Sequence, residues 1–350
     1  MVYGCFSIIL QSMEEKKRSP IVNLLKIALP LCLGGAILYW MYRDFDFRRL
    51  QHVLWHEMDW TWMLLSLPFG ILAQVLRGLR WKQTLEPMGE HPRTSVSINA
   101  IFLSYASSLV IPRVGEFLRC GVLKRYDGVS FPKALGTVVT ERAVDTLVML
   151  LATAIAVLSQ MPVFVDFFSR TGTRLDQFFG QFTTAGYVVT FICGAAAVLL
   201  IWILLRKFTI YNKVKDVLHH LWQGVVSLRH VDNGWLYVIY TLGIWLSYFV
   251  HFYLTFFCFE ETAHLGIDCA LVSFVVGSIA VIVPTPNGAG PWHFAVKTML
   301  ILYGVESNAA LFFVLIVHTI QTILVILLGI WASTALAMKA PAPSLPEERA

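Results

Sequence analysis

The sequence predicts an all-α, polytopic membrane protein, and three observations carry that prediction. Of its 350 residues, 57% are hydrophobic and only 14% charged, and the mean hydropathy is +0.66, well outside soluble averages. Several apolar runs reach the roughly 20 residues that a spanning helix needs. The third observation is a pair of broken apolar segments, one in each half: SYASSLVIPRVGEFLR, Ser104 to Arg119, and VVGSIAVIVPTPNGAGPWHF, Val275 to Phe294. Each starts as an apolar run with small residues, stops at a proline (Pro112, Pro284) and continues through glycine into polar residues. The runs are continuous rather than alternating, which argues against a β-barrel. Backbone that loses its helix inside hydrocarbon must be covered by protein or line a watery cavity. Matched interruptions in two halves point to a transporter binding site.

The apolar runs place six crossings, at about 21–42, 60–77, 134–158, 183–205, 233–258 and 309–337, with the broken segments at about 95–112 and 269–303. Residues 1–20 read as a cytoplasmic lead-in, 21–337 as one integral membrane domain, and 338–350 as a proline-rich disordered tail. MVYGCFSIILQS lacks the basic region of a secretory signal, and Met13, opening MEEKKRSP, is a candidate start. Lys16, Lys17 and Arg18 put the N-terminus inside. Arg77, Arg80, Lys82 and Arg93 before the first broken segment, and Arg113, Arg119, Lys124, Arg125 and Lys133 within and after it, put both its flanks inside, so it re-enters from the cytoplasm. The second has Glu260, Glu261 and Asp268 before it and Glu306 after it, which suits the opposite face. Two hairpins from opposite faces suggest an inverted repeat. Arg43, Arg48 and Arg49 in the outside loop 43–59 run against this scheme, and eight ordinary crossings with proline kinks are the alternative.

The net charge of +5 fits basic cytoplasmic loops and does not indicate nucleic acid. The six cysteines are scattered without CxxC spacing, and the ten histidines show no ligand pattern, so neither a metal nor another cofactor is expected. No GxxxxGK[ST] loop indicates ATP.

Four clusters place charge or broken backbone where lipid is expected, and each has two readings. In TERAVD, Glu141 and Asp145 share a helix face and Arg142 is three residues from Asp145. This is a polar strip facing a cavity, or a structural ion pair. In LRGLRWK, Arg77 and Arg80 are one turn apart beside Trp81. They are phosphate forks, or interfacial anchors, which the spacing favours. In PRVGEFLR, Glu116 and Arg119 are spaced to pair and Arg113 sits at the hairpin tip, meeting a headgroup or anchoring the loop. In PTPNGAGPWHFAVK, Pro284, Pro286, Gly288 and Gly290 forbid a continuous helix, with Asn287 in the same turn. The following helix begins at Pro291, so its N-terminus favours an anion. His293 and Lys297, four apart on it, suggest a phosphate-sized site, with a purely structural turn as the other reading. Trp245, Tyr248, Phe252 and Tyr253 read as helix packing.

RGLRW, PRxGEFLR, ERxxD and PTPNGAG, in this order, resemble the membrane domain of lysylphosphatidylglycerol synthase and its stand-alone flippase-like relatives, over about Arg77 to Trp331. That family moves an aminoacylated phospholipid between leaflets, and a soluble synthase domain, when present, makes the lipid. The resemblance implies translocation without synthesis in a bacterial inner membrane. An archaeal branch linked to dolichol-phosphate sugars widens the cargo to polyprenyl phosphates. The expected partners are membrane lipids and a separate lipid-modifying enzyme. The implied substrate-binding residues are Arg77, Arg80, Arg113, Glu116, Arg119, Glu141, Arg142, Asp145 and the loop from Pro284 to Gly290. Many relatives carry an acidic residue after the glycine loop, where this chain has Trp292 and His293, so a cationic lysyl headgroup loses its expected partner. A membrane transferase acting on polyprenyl-phosphate sugars, with Glu141 or Asp145 as acid or base, and a non-catalytic partner subunit are the rival readings.

Overall fold

A computed structural model describes Cys32 and residues 34–43, 47–161 and 233–340, and in these the chain is helical without strands. The predicted lead-in 1–20, residues 21–31 and 33 of the first predicted crossing, the predicted crossing 183–205, the basic loop 206–229 and residues 341–350 of the tail lie outside the described residues. After a short helix α1 over 34–42 comes α2, Phe47–His52, which runs on into a π-helical turn, Val53–Glu57. Four long helices follow in order: α3, Trp60–Leu85; α6, Phe131–Ser159; α7, Gly234–Leu254; and α11, Ser307–Ala337. With the single turns that extend α3 and α7, these are the four described helices long and apolar enough to cross a membrane. The chain is a multi-pass membrane protein.

Both broken segments are helical hairpins. The first joins α4, Thr94–Ser108, to α5, Val114–Asp127. The second joins α9, Ile267–Ala280, to α10, Pro291–Leu302, after the four-residue α8, Glu260–Ala263. Fifteen residues at 1.5 Å each make about 22 Å of helix, too short for the roughly 30 Å of hydrocarbon. Each hairpin therefore enters the bundle and turns back. Helix α4 stops at Ser108, four residues ahead of Pro112, and the tip is closed by Arg113 in the left-handed region at φ 65°. Asn287, at φ 51°, does the same for the second tip. The Arg113 guanidinium donates from Nη2 to the Ile282 carbonyl at 3.1 Å, so the two tips touch.

The hairpins come from opposite ends. At one end Asp59 of the α3 cap donates its N–H to the Cys258 carbonyl after α7, 2.9 Å. Glu57 and Phe259 there border the same cleft as Glu306 and Ala309, which follow the base of the second hairpin. At the other end Gln83 Nε2 donates to the Asn233 carbonyl before α7, 2.8 Å, and Lys133 Nζ to the Met88 carbonyl, 2.9 Å. The base of the first hairpin is clasped there by Arg93 and Asp127, 2.6 Å, while Lys339, past α11, reaches Ser95 of α4. The order long helix, hairpin, long helix occurs twice, α3 to α6 and α7 to α11, with the second copy upside down. The first helix of each hairpin packs on the last helix of the other copy, α4 on α11 and α9 on α6, and α3 packs along α7. This is the inverted repeat that the two broken segments predicted.

Tip depth is fixed by α11. Thr322, at the centre of the 31-residue helix, accepts from Asn287 Nδ2 at 3.0 Å in the second tip, and Gly329, two turns further along, lies against Ala106 near the first. Packed aromatics, Phe252, Phe256 and Phe313 among them, form the core at the α3 N-terminal end, and Trp81, Ile101 and Leu123 the core under the first hairpin. Helix α6 turns Leu147, Leu151 and Leu158 outward, as a lipid-facing helix does.

One glycine sets the closeness of the first hairpin. A Cβ on Gly115 would clash with the Ser104 carbonyl oxygen, whereas one on Gly121, almost two turns further, meets nothing within 4 Å. Gly115→Ala should therefore lower stability by about 1–3 kcal/mol. Gly121→Ala should be neutral or raise it by up to about 1 kcal/mol. Thermal unfolding of the two detergent-solubilised variants checks the contrast.

Candidate functional site

Helix α3 puts Arg77 and Arg80 one turn apart, α5 does the same with Glu116 and Arg119, and α6 puts Glu141 and Asp145 on one face. Where the three helices converge, these side chains and Arg142 form one network. Arg77 Nη1 meets Asp145 Oδ2 at 2.7 Å and Arg80 Nη2 meets Oδ1 at 2.8 Å. Arg80 Nε lies 3.5 Å from Glu141 Oε1, and Arg119 Nη1 2.9 Å from Glu141 Oε2. Glu116 takes Arg119 on one oxygen and Arg142 on the other, each at 2.8 Å, and Arg142 is 3.7 Å from Asp145. Arg80 and Glu141 are fully buried, with Arg119 1% and Arg77 2% exposed. At that burial an ion without a partner costs several kcal/mol, so the pairing is obligatory. The stems are fixed as well: the Arg119 guanidinium lies 4.5 Å over the Trp81 ring, and Trp81 Nε1 donates to Thr137.

This arrangement corrects the interfacial-anchor reading of Arg77 and Arg80. The second crossing does not end at residue 77; α3 runs to Leu85, and both arginines are internal. The expected Glu116–Arg119 and Arg142–Asp145 pairs are present, although Arg142 is closer to Glu116.

In front of the network, between the hairpin tips, lies a cavity of about 170 Å³, room for several waters or a polar headgroup. Of the residues singled out in the sequence, Arg77, Arg113, Glu116, Arg119, Arg142, Pro284, Asn287 and Gly288 line it. Arg80, Glu141 and Asp145 stand behind and hold the lining arginines. Pro286, Gly290, His293 and Lys297 do not line it. His293 is buried on the far side of the loop, its ring 4.4 Å from that of His318, with Nδ1 3.4 Å from the Gly290 nitrogen. His318 Nε2 donates to the Asn287 carbonyl at 3.1 Å, tying the tip to α11. Thr285, within the loop from Pro284 to Gly290, lines it too, and so do Ser104, Tyr105 and Ser108 of the first hairpin, which the sequence reasoning did not name as site residues.

Five arginines face three carboxylates here, an excess of two positive charges at the place where the tips meet. Every carboxylate oxygen lies within 3.5 Å of a guanidinium nitrogen. The side chains of Arg142, 45% exposed, and of Arg113, also exposed, offer their donors to the opening. Guanidinium groups so placed have the donor geometry that suits phosphate oxygens.

The family model of the lysylphosphatidylglycerol synthase TM region matches residues 25–329. The chain belongs to this family. Among curated proteins, a 78-residue stretch is 30% identical to the Glycosyltransferase AglD of Haloferax volcanii, covering 22% of this chain and 12% of that protein. No solved structure matches the chain significantly. The family match contains both hairpins and the whole network, so the shared membrane region includes every element that builds the cavity.

Asp145 holds two buried arginines and Arg142 is half exposed, so their loss should differ. Asp145→Asn should cost about 3–5 kcal/mol, because it leaves buried cations uncompensated. Arg142→Gln should cost about 1 kcal/mol or less. Unfolding midpoints of the purified variants separate the two.

Proposed function

We propose that this protein translocates a lipid with a phosphate headgroup, of phospholipid or polyprenyl-phosphate type, between the leaflets of a bacterial inner membrane. One observation carries the reading: an arginine-rich cavity sits at the mid-depth meeting point of two hairpins that enter from opposite ends. A headgroup crossing a bilayer meets its highest barrier at that depth, where charge is least tolerated. There Arg113 and Arg142 would replace water around the phosphate, while the apolar chains stay in lipid beside the helices. With the N-terminus in the cytoplasm, the first hairpin enters from the cytoplasmic side and the second from outside. The two halves of the inverted repeat each contribute one tip, so movement of one half against the other would open the cavity to alternate sides.

A second reading, a transferase acting on a polyprenyl-phosphate sugar, draws on the local similarity to Glycosyltransferase AglD. It needs a carboxylate available as acid or base, and Glu141 and Asp145 are each bound to two or more arginines, which weighs against it.

Reconstitution into proteoliposomes with labelled anionic phospholipid and polyprenyl-phosphate probes tests the proposal. Wild-type protein should accelerate inter-leaflet exchange of one probe. Arg142→Gln should reduce that rate by about tenfold, equivalent to about 1.4 kcal/mol, without loss of fold. Chemical conversion of a probe without exchange would favour the transferase, and folded protein that moves no probe would refute translocation.

A further inference from the structure

We infer that the cavity selects a lipid whose phosphate headgroup carries two or more negative charges and no amine, that is, a phosphate monoester or a pyrophosphate rather than an aminoacylated phosphodiester. The inference rests on the cavity being a lipid headgroup site, as proposed above, and names the chemical class that it takes.

Three features converge on this. The first is engagement of the carboxylates. Each of the six oxygens of Glu116, Glu141 and Asp145 lies 2.7 to 3.5 Å from an arginine nitrogen, with Glu116 Oε2 and Glu141 Oε1 in ion contact but without a hydrogen bond. An ammonium group entering the cavity would have to draw a carboxylate away from a guanidinium. The second is a set of unused donors. Arg77 Nε and the Thr285 hydroxyl belong to residues 2% and 4% exposed that line the cavity. Neither has a hydrogen-bond partner among the described residues. Buried donors of this kind are normally satisfied; both atoms are closed off as the side chains stand, and a multi-oxygen anion would supply acceptors to them once the lining side chains shift to admit it. The third is charge. The excess of two positive charges balances the −1.5 to −2 of a phosphate monoester at neutral pH, whereas a phosphodiester carries one negative charge, an aminoacylated one is at most neutral, and a lysylated one is net cationic. Arg113 holds the decisive charge. It meets no carboxylate among the described residues, its backbone is held at φ 65°, and it pins itself to the other tip through the Ile282 carbonyl. Left-handed backbone at a bulky residue is strain of the kind found at ligand clamps. Beside it, Val110 and Ile282 are 69% and 66% exposed at the two tips, an apolar border along which the lipid chain can leave the cavity.

The test is a binding competition on the purified full chain in phosphatidylcholine nanodiscs, with fluorescent short-chain phosphatidic acid as tracer. Phosphatidic acid, phosphatidylglycerol, lysyl-phosphatidylglycerol and inorganic phosphate are the competitors. Phosphatidic acid should bind about tenfold more tightly than phosphatidylglycerol, with the lysyl lipid weakest and inorganic phosphate weaker than phosphatidic acid. Arg113→Gln should narrow the gap between the first two lipids to about twofold, and Arg113→Lys should keep most of it. Arg113 is outside the buried network, and an unchanged unfolding midpoint verifies that both variants fold. Lysyl-phosphatidylglycerol binding as tightly as phosphatidic acid, or a gap indifferent to Arg113→Gln, would overturn the inference. Inorganic phosphate competing as well as phosphatidic acid would overturn its lipid part and assign the cavity to a soluble anion. Because binding is read without transport, a monoester preference in protein that moves no lipid would leave the inference standing and refute translocation alone.

Discussion

Arg77, Arg80 and Arg119 with Glu141 and Asp145 are buried in the middle of a helical bundle, and each alone would cost several kcal/mol in that setting. Their mutual pairing is therefore a constraint on everything around them. Asp145 binds two arginines one turn apart on α3, which fixes the rotation of α3 against α6: a slip of one residue turns a helix by about 100° and would strand all three charges. Arg119 and Glu116 extend the same lattice to α5, so the returning arm of the first hairpin is seated by charge as well as by the close approach at Gly115.

From that seating follows the position of the first tip, and from the tip the cavity. The half-length helices of each hairpin are too short to span hydrocarbon. Two of them entering from opposite ends meet in the middle, and the irregular backbone of the two tips borders α11, the other tip and the cavity, the settings in which hydrocarbon tolerates it. The network behind the cavity balances its own charges almost completely, with an excess of one; Arg113 adds the second. The charges therefore divide by position: Arg80, Glu141 and Asp145 stand behind the cavity and hold its lining arginines, while Arg113 and Arg142 face the opening.

The sequence read well where local spacing determines geometry. The two Pro- and Gly-broken segments foretold two hairpins, Glu116–Arg119 follows from a three-residue interval, and the shared face of Glu141 and Asp145 from a four-residue one. Long-range partners were not legible. Arg77 and Arg80 beside Trp81 have the same pattern whether they lie at a membrane interface or inside a bundle, and the deciding carboxylate is more than sixty residues away. The same holds for His293 and Lys297. Their interval says that they share a face, but the unusual backbone of Gly290, at φ 91°, aims the start of α10, and it turns His293 toward His318 and away from the cavity.

If anionic headgroups are held between the two hairpin tips, an electron cryomicroscopy structure of the protein in nanodiscs containing phosphatidic acid will show phosphate density within hydrogen-bonding distance of Arg113 and Arg142, with the acyl chains running past Val110 and Ile282 into lipid. An unoccupied cavity, with lipid phosphates ordered only at the outer rim of the bundle, would rule this site out.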